Sequence, residues 1–179
     1  MKELNSPGAK GGKPVSQSLR DRKLHRILNE IGDLPGRNLF TWIDDSGGVR
    51  TVGSHHVNSY LAEVTGLPAV TAKTFRTWNG SLAAFRTAMA AEERLTVKML
   101  AEAAAQTLFN TPAVCKSSYI HPAILGIAAL PLAERRALSD RLIPLADSAL
   151  RLDERRMLAF LHRHDGEKSP LRRRSAPPD

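Results

Sequence analysis

The stretch Thr71-Ala-Lys-Thr-Phe-Arg-Thr-Trp78, continued through Leu82, Phe85 and Met89, decides how this chain folds. From Phe75 the apolar residues step by three, four, three and four, the stripe of an amphipathic helix. A helix is therefore expected from about Thr71. Working backward, Ser54 fits an N-cap, and Val57, Tyr60, Leu61 and Val64 repeat the helical spacing up to Gly66. Further back, Leu24, Ile27, Leu28 and Ile31 mark a helix in a segment whose periodicity turns helical from Leu19. Gly32 and Leu34-Pro35-Gly36 end it. Between these helices, Asn38 to Ile43 and Val49 to Val52 predict two short strands joined by Asp44-Asp45-Ser46-Gly47-Gly48. Working forward, an Ala- and Leu-rich helix is expected from about Glu92 to Phe109. Thr111-Pro112 and His121-Pro122 are two helix starts with proline in the first turn. A last helix covers about Leu150 to His162. The fold class is mainly α with a small β-hairpin component.

The chain has 179 residues, 26 Lys+Arg against 18 Asp+Glu, and a formal net charge of +8. At roughly 100–200 residues per domain this is one domain plus tails. A hydrophobic fraction of 42% excludes a largely disordered chain. Cys115 is the single cysteine, which excludes a disulfide framework and a thiolate zinc cluster. Met1 to Lys13 is polar and Gly-rich rather than an apolar signal core, and no run of about 18 apolar residues is present. The expectation is a soluble, cytoplasmic protein whose pI of about 10.1 favours an anionic partner, most often nucleic acid. Part of the charge sits in Arg172-Arg173-Arg174, so a basic tail on an otherwise neutral protein is the alternative.

Common catalytic patterns fail. Gly8-Ala-Lys10-Gly-Gly12-Lys13 superficially looks like a phosphate-binding loop, but its glycine spacing is wrong and Pro14 stands where Ser or Thr would hold magnesium. His55-His56 and His162/His164 lack the spacing and carboxylates of a metal site, so no metal and no cofactor are expected. Cys115, in an apolar helical stretch, reads as a small core residue. Two segments remain. Arg76 lies one residue from the Phe75/Trp78 stripe, where a guanidinium could fork onto two phosphate oxygens. Spacing alone favours a surface arginine whose stem covers the core edge. Tyr119 falls between the two proline-started helices, where a phenol can face a groove or close a small core with its hydroxyl in water. Asn110 stands nine residues earlier.

Taken in order, the segments resemble the catalytic domain of type IB DNA topoisomerases, in particular the small poxvirus-like group found in bacteria. The matching pieces are Gly8-Ala-Lys10-Gly-Gly-Lys13, Leu34-Pro-Gly-Arg-Asn-Leu-Phe40, Val57-Asn-Ser-Tyr-Leu61, Thr71 to Trp78, and Asn110-Thr-Pro-Ala-Val-Cys-Lys-Ser-Ser-Tyr119-Ile-His-Pro122. They cover roughly residues 8–165. The combination of Lys-x-Phe-Arg-Thr-Trp with Asn-Thr-Pro followed by Tyr119 is the specific part.

The resemblance implies a topoisomerase IB or tyrosine recombinase-like catalytic fold over residues 15–165. Residues 1–14 would form a lysine-bearing loop or hairpin end, and residues 166–179 a disordered basic tail. It implies that Tyr119 attacks a phosphodiester of double-stranded DNA, forming a 3′-phosphotyrosyl bond and releasing a 5′-hydroxyl strand that later reseals. Neither ATP nor a metal is needed, because the bond energy stays in the adduct. Arg76 would hold a non-bridging oxygen of the transition state. Asn110 would donate to the same phosphate, and Lys10, with Lys13 as the fallback, would protonate the departing 5′-oxygen. The enzyme would act as a monomer in the bacterial nucleoid, with no membrane and no small-molecule substrate. A second family arginine lies upstream of the lysine loop, and neither it nor an amino-terminal clamp domain has a counterpart here. A truncated, weakly active or inactive DNA-binding relative is therefore one alternative. A tyrosine recombinase is another, although those enzymes carry histidine three residues before this arginine, where Lys73 stands.

Overall fold

A computed structural model of the chain describes residues 2–6, 15–19, 21–34, 38, 40–146 and 149–168, with side chains from residue 21 to residue 165. Lys10, Lys13 and the Arg172–Arg174 tail lie outside the described residues. The chain divides into two compact units, residues 1–75 and 76–179.

In the first unit, β1 (Lys2–Ser6) pairs antiparallel with β2 (Val15–Leu19). Beyond β1, the loop or hairpin end expected over residues 1–14 falls on residues 7–14, which lie outside the described residues. The helix expected in the segment from Leu19 is α1 (Arg22–Gly32); Leu19 itself belongs to β2, and the first turn of α1 is capped by Asp21, its Oδ1 accepting from the Leu24 N–H at 2.8 Å. Leu28 is its buried residue. β3 (Thr41–Ile43) and β4 (Val49–Thr51) form the expected hairpin, with Trp42 opposite Arg50. Its loop is built around Asp44, which accepts from the Ser46 hydroxyl at 2.6 Å, the Arg50 Nε at 2.7 Å and the Gly48 N–H at 2.8 Å. These donors hold the Asp44 carboxyl down to about 2, the Ser46 hydroxyl contributing most. Gly47 takes φ +79°, which a side chain would resist.

α2 (Ser54–Thr65) starts one residue earlier than expected, at Ser54 itself. Gly53 is the N-cap and donates its N–H to His56 Nδ1 at 2.9 Å, so Ser54 becomes the first helical residue. The spacing of Val57, Tyr60 and Val64 is helical, yet no residue of α2 is buried. α2 nonetheless starts the next helix, because Asn58 Oδ1 accepts the Ala72 N–H at 3.0 Å. That helix, α3 (Ala72–Ala90), carries the chain into the second unit.

In the second unit, Leu82 and Phe85 of the α3 stripe are buried, and Trp78 and Met89 pack on the core from its edge. α4 (Val97–Leu108) begins five residues after the expected Glu92. The physical reason lies in the preceding link: Thr96 supplies an N-cap hydroxyl to the Met99 N–H, and the Glu93 carbonyl accepts from the buried Arg135 guanidinium. α4 turns Leu100, Ala101, Ala104, Ala105 and Leu108 inward, and its small residues let neighbouring backbone approach closely. Phe109 ends it with φ 50°, a left-handed C-cap.

The two proline starts are realised as α5 (Pro112–Ser118), capped by Thr111, and α6 (Pro122–Gly126), capped by His121. Cys115 is fully buried, as a small core residue. Burial pushes its thiol up, against a smaller opposing pull from Arg76. A 3₁₀ turn, Ile127–Ala129, leads to α7 (Leu132–Arg141), a helix without an apolar stripe that periodicity could reveal. It is tied down instead by polar contacts: Arg135 to Glu93, and Ser139 accepting from Arg156 at 2.8 Å. α8 (Leu152–Lys168) runs six residues past its expected end at His162, into residues 166–168 of the expected tail. Met157 and Phe160 of α8 complete the core, the Phe160 ring lying 5.9 Å from that of Phe85. Phe85→Ala should lower stability by about 3–5 kcal/mol, read as a shift in denaturant midpoint.

Trp78 is tied to α8 by a hydrogen bond from its indole N–H to Glu154 Oε1 at 3.0 Å, while Arg151 Nε holds Glu154 Oε2 at 3.1 Å. Arg151 first, and then Trp78, holds the Glu154 carboxyl down to about 2, from an ordinary 4.5. The folded form thus binds this proton more weakly than the unfolded form. The stabilisation is complete above about pH 4.5 and is lost as the pH falls toward 2. Thermal melts of wild type and Glu154→Gln should therefore differ most near neutrality and converge in acid. A constant difference across that range would contradict this.

Candidate active site

Of the four residues expected to act together, Arg76 and Tyr119 meet. Arg76 occupies the second turn of α3, and Tyr119 is the C-cap of α5. The Arg76 guanidinium carbon lies 4.9 Å from the centre of the Tyr119 ring, within cation–π range. One Nη of Arg76 donates to the Leu108 carbonyl at 3.2 Å, at the end of α4. Its Nε is buried and has no hydrogen-bond partner among the described residues. The surface-arginine reading is therefore corrected: the side chain is half-buried, clamped between a helix end and a phenol ring. A cation held in this way is pre-oriented, which is what a developing negative charge requires of its partner.

Tyr119 is fixed from both sides. Its N–H donates to the Cys115 carbonyl at 2.9 Å, which closes α5. After it the chain turns sharply into α6, and the His121 N–H donates to the Ser81 hydroxyl at 2.9 Å. A Cβ built on Gly80 would sit 2.5 Å from the Tyr119 carbonyl oxygen and 3.2 Å from the Tyr119 Cβ. Gly80 is thus the position where backbone meets backbone. It stands one turn after Arg76, on the same side of α3. The sequence reading singled out neither Gly80 nor Ser81; a small pair inside a helical stripe gives no signal of what it touches.

Asn110 follows the left-handed Phe109, two residues beyond the Leu108 carbonyl that Arg76 grips. Its N–H donates to the Ala105 carbonyl at 3.1 Å, and its Oδ1 accepts from the Thr111 N–H at 2.8 Å. With the oxygen so engaged, the Nδ2 donors have no partner among the described residues, which leaves them for an anion. Lys10 and Lys13 lie outside the described residues.

A family model described as the catalytic core of eukaryotic DNA topoisomerase I matches residues 13–118, more than half of the chain. The chain belongs to that family. No curated protein matches it at a significant level. The matched span includes Lys13, Arg76, Gly80, Ser81 and Asn110, and ends one residue before Tyr119. The mainly helical fold with its small hairpins is the one expected of a topoisomerase core. Among the described residues, no helix is long and apolar enough to cross a membrane.

Proposed function

We propose that this topoisomerase core relaxes supercoiled DNA by a transient break in one strand, with Tyr119 as the nucleophile. The observation that carries the reading is the Arg76 guanidinium held over the Tyr119 ring, in a chain of this family. The phenolic oxygen attacks phosphorus and gives its proton to solvent water. An O–P bond forms to the 3′ side of the break, and the bond from phosphorus to the 5′-oxygen breaks. The number of phosphodiester bonds is conserved, so the step is reversible without ATP. Strand rotation precedes attack by the 5′-hydroxyl and release of Tyr119.

Arg76 stabilises the non-bridging oxygens, whose negative charge grows as phosphorus becomes five-coordinate. Asn110 donates from Nδ2 to the same group. Lys10, or Lys13 if the loop aligns otherwise, gives the 5′-oxygen its proton. The working species is a monomer on double-stranded DNA in the cytoplasm, at the nucleoid of a bacterium carrying the poxvirus-like form of the enzyme. The net charge of +8 favours that polyanion and makes binding fall with salt.

The test is a supercoiled plasmid incubated with the protein in EDTA and without ATP. A ladder of relaxed topoisomers is expected. Plasmid that stays supercoiled while a gel shift shows it bound would assign the chain to DNA binding without catalysis.

A further inference from the structure

Serine within a helix usually returns its hydroxyl to the carbonyl one turn back, or to water. Ser81 does neither: it is 3% exposed and takes the N–H of His121, forty positions away. Its neighbour Gly80 touches the Tyr119 carbonyl where any side chain would intrude. Both lie on the helix that carries Arg76. We infer that Gly80 and Ser81 are positioning residues, a seat on α3 that fixes the Tyr119 turn relative to Arg76. The inference rests on the reading of Tyr119 as nucleophile.

The geometry explains why one helix does both jobs. A helix is stiff, with a rise of about 1.5 Å per residue, so Arg76 and the seat keep a constant separation. A phosphate gripped by Arg76 then meets a phenol whose backbone is registered on the same rod. Without the Ser81 hydroxyl, the His121 N–H loses its acceptor and the turn can drift away from α3. A misplacement near 1 Å at a reacting centre can cost about 10²-fold in rate.

Tyr119 is the nucleophile in cleavage and the leaving group in resealing. A group that only positions it must slow both directions by the same factor, leaving the equilibrium between intact and cleaved DNA unchanged. The experiment compares wild type, Ser81→Cys and Ser81→Ala, each saturating a supercoiled plasmid. Two quantities are read: the rate of relaxation, and the fraction of DNA trapped as protein adduct by SDS at equilibrium. Cysteine keeps a weaker acceptor, so the graded pair yields a result even if the alanine variant folds poorly. The expected outcome is relaxation slowed roughly tenfold or more in Ser81→Ala, and less in Ser81→Cys, with the adduct fraction unchanged.

An unchanged rate would overturn the inference. So would a reduced adduct fraction with an unchanged rate constant, since that marks a smaller folded population. If wild type itself forms no adduct, the nucleophile reading fails first, and the two failures are told apart.

Discussion

Tyr119→Phe leaves plasmid DNA supercoiled and forms no adduct, while binding DNA as wild type does. The change removes one oxygen and keeps the ring, so the contact with the Arg76 guanidinium at 4.9 Å survives. The flanking hydrogen bonds, from Tyr119 to the Cys115 carbonyl and from His121 to Ser81, involve backbone groups that the substitution does not touch. Stability should therefore be nearly unaltered, which separates loss of chemistry from loss of fold. Removing a covalent nucleophile typically costs roughly 10⁴–10⁶-fold in rate. The Cys115 thiol offers no substitute, since it is fully buried and burial favours its protonated form. Residual relaxation near the wild-type rate would assign the chemistry to another residue.

The second large effect is that of Arg76→Ala. Loss of one preorganised donor to a transition-state oxyanion costs about 10²–10³-fold, and that is the expected fall in relaxation rate. The structural cost is smaller. The Leu108 carbonyl loses one hydrogen bond at the end of α4, worth about 1 kcal/mol. Arg76→Lys should recover only part of the rate, since an ammonium is a point charge without the planar fork. These outcomes discriminate between roles. An arginine that merely touched DNA would weaken binding and lower its salt dependence by about one phosphate contact. Arg76 should instead slow the reaction at saturating DNA, where binding no longer limits.

The order of elements was readable wherever a stripe or a cap announced it. The α3 stripe, the Asp44–Gly48 loop and the two proline starts each rest on local chemistry that appears in the structure at its expected place. α7 was illegible because its inward residue is an arginine, which a hydrophobic pattern counts as surface. The start of α4 was misplaced because composition favoured helix through residues 92–96, whereas Thr96 and the Arg135 bond to Glu93 set the boundary. Phe75 opens the α3 stripe yet is half exposed, so the stripe marked the helix better than it marked the core.

The site was legible in a different way. Nothing in the spacing brings Arg76 near Tyr119, forty-three positions later, and spacing alone favoured a solvent-facing arginine. The resemblance to a family paired them, and the structure shows the two side chains in contact. Gly80 and Ser81 could not be read at all. Their meaning is a missing Cβ and one long-range hydrogen bond, neither of which leaves a periodic trace.

The most direct measurement maps the SDS-trapped adduct. The protein–DNA complex formed on a plasmid is digested with protease and nuclease, and the modified peptide is sequenced by mass spectrometry. The 5′ end at the break is tested in parallel for labelling by polynucleotide kinase without prior phosphatase treatment. The account predicts a nucleotide 3′-phosphate on the phenolic oxygen of Tyr119 and a 5′-hydroxyl that accepts label directly. Attachment at another residue, linkage through a 5′-phosphate, or no adduct at all would contradict it.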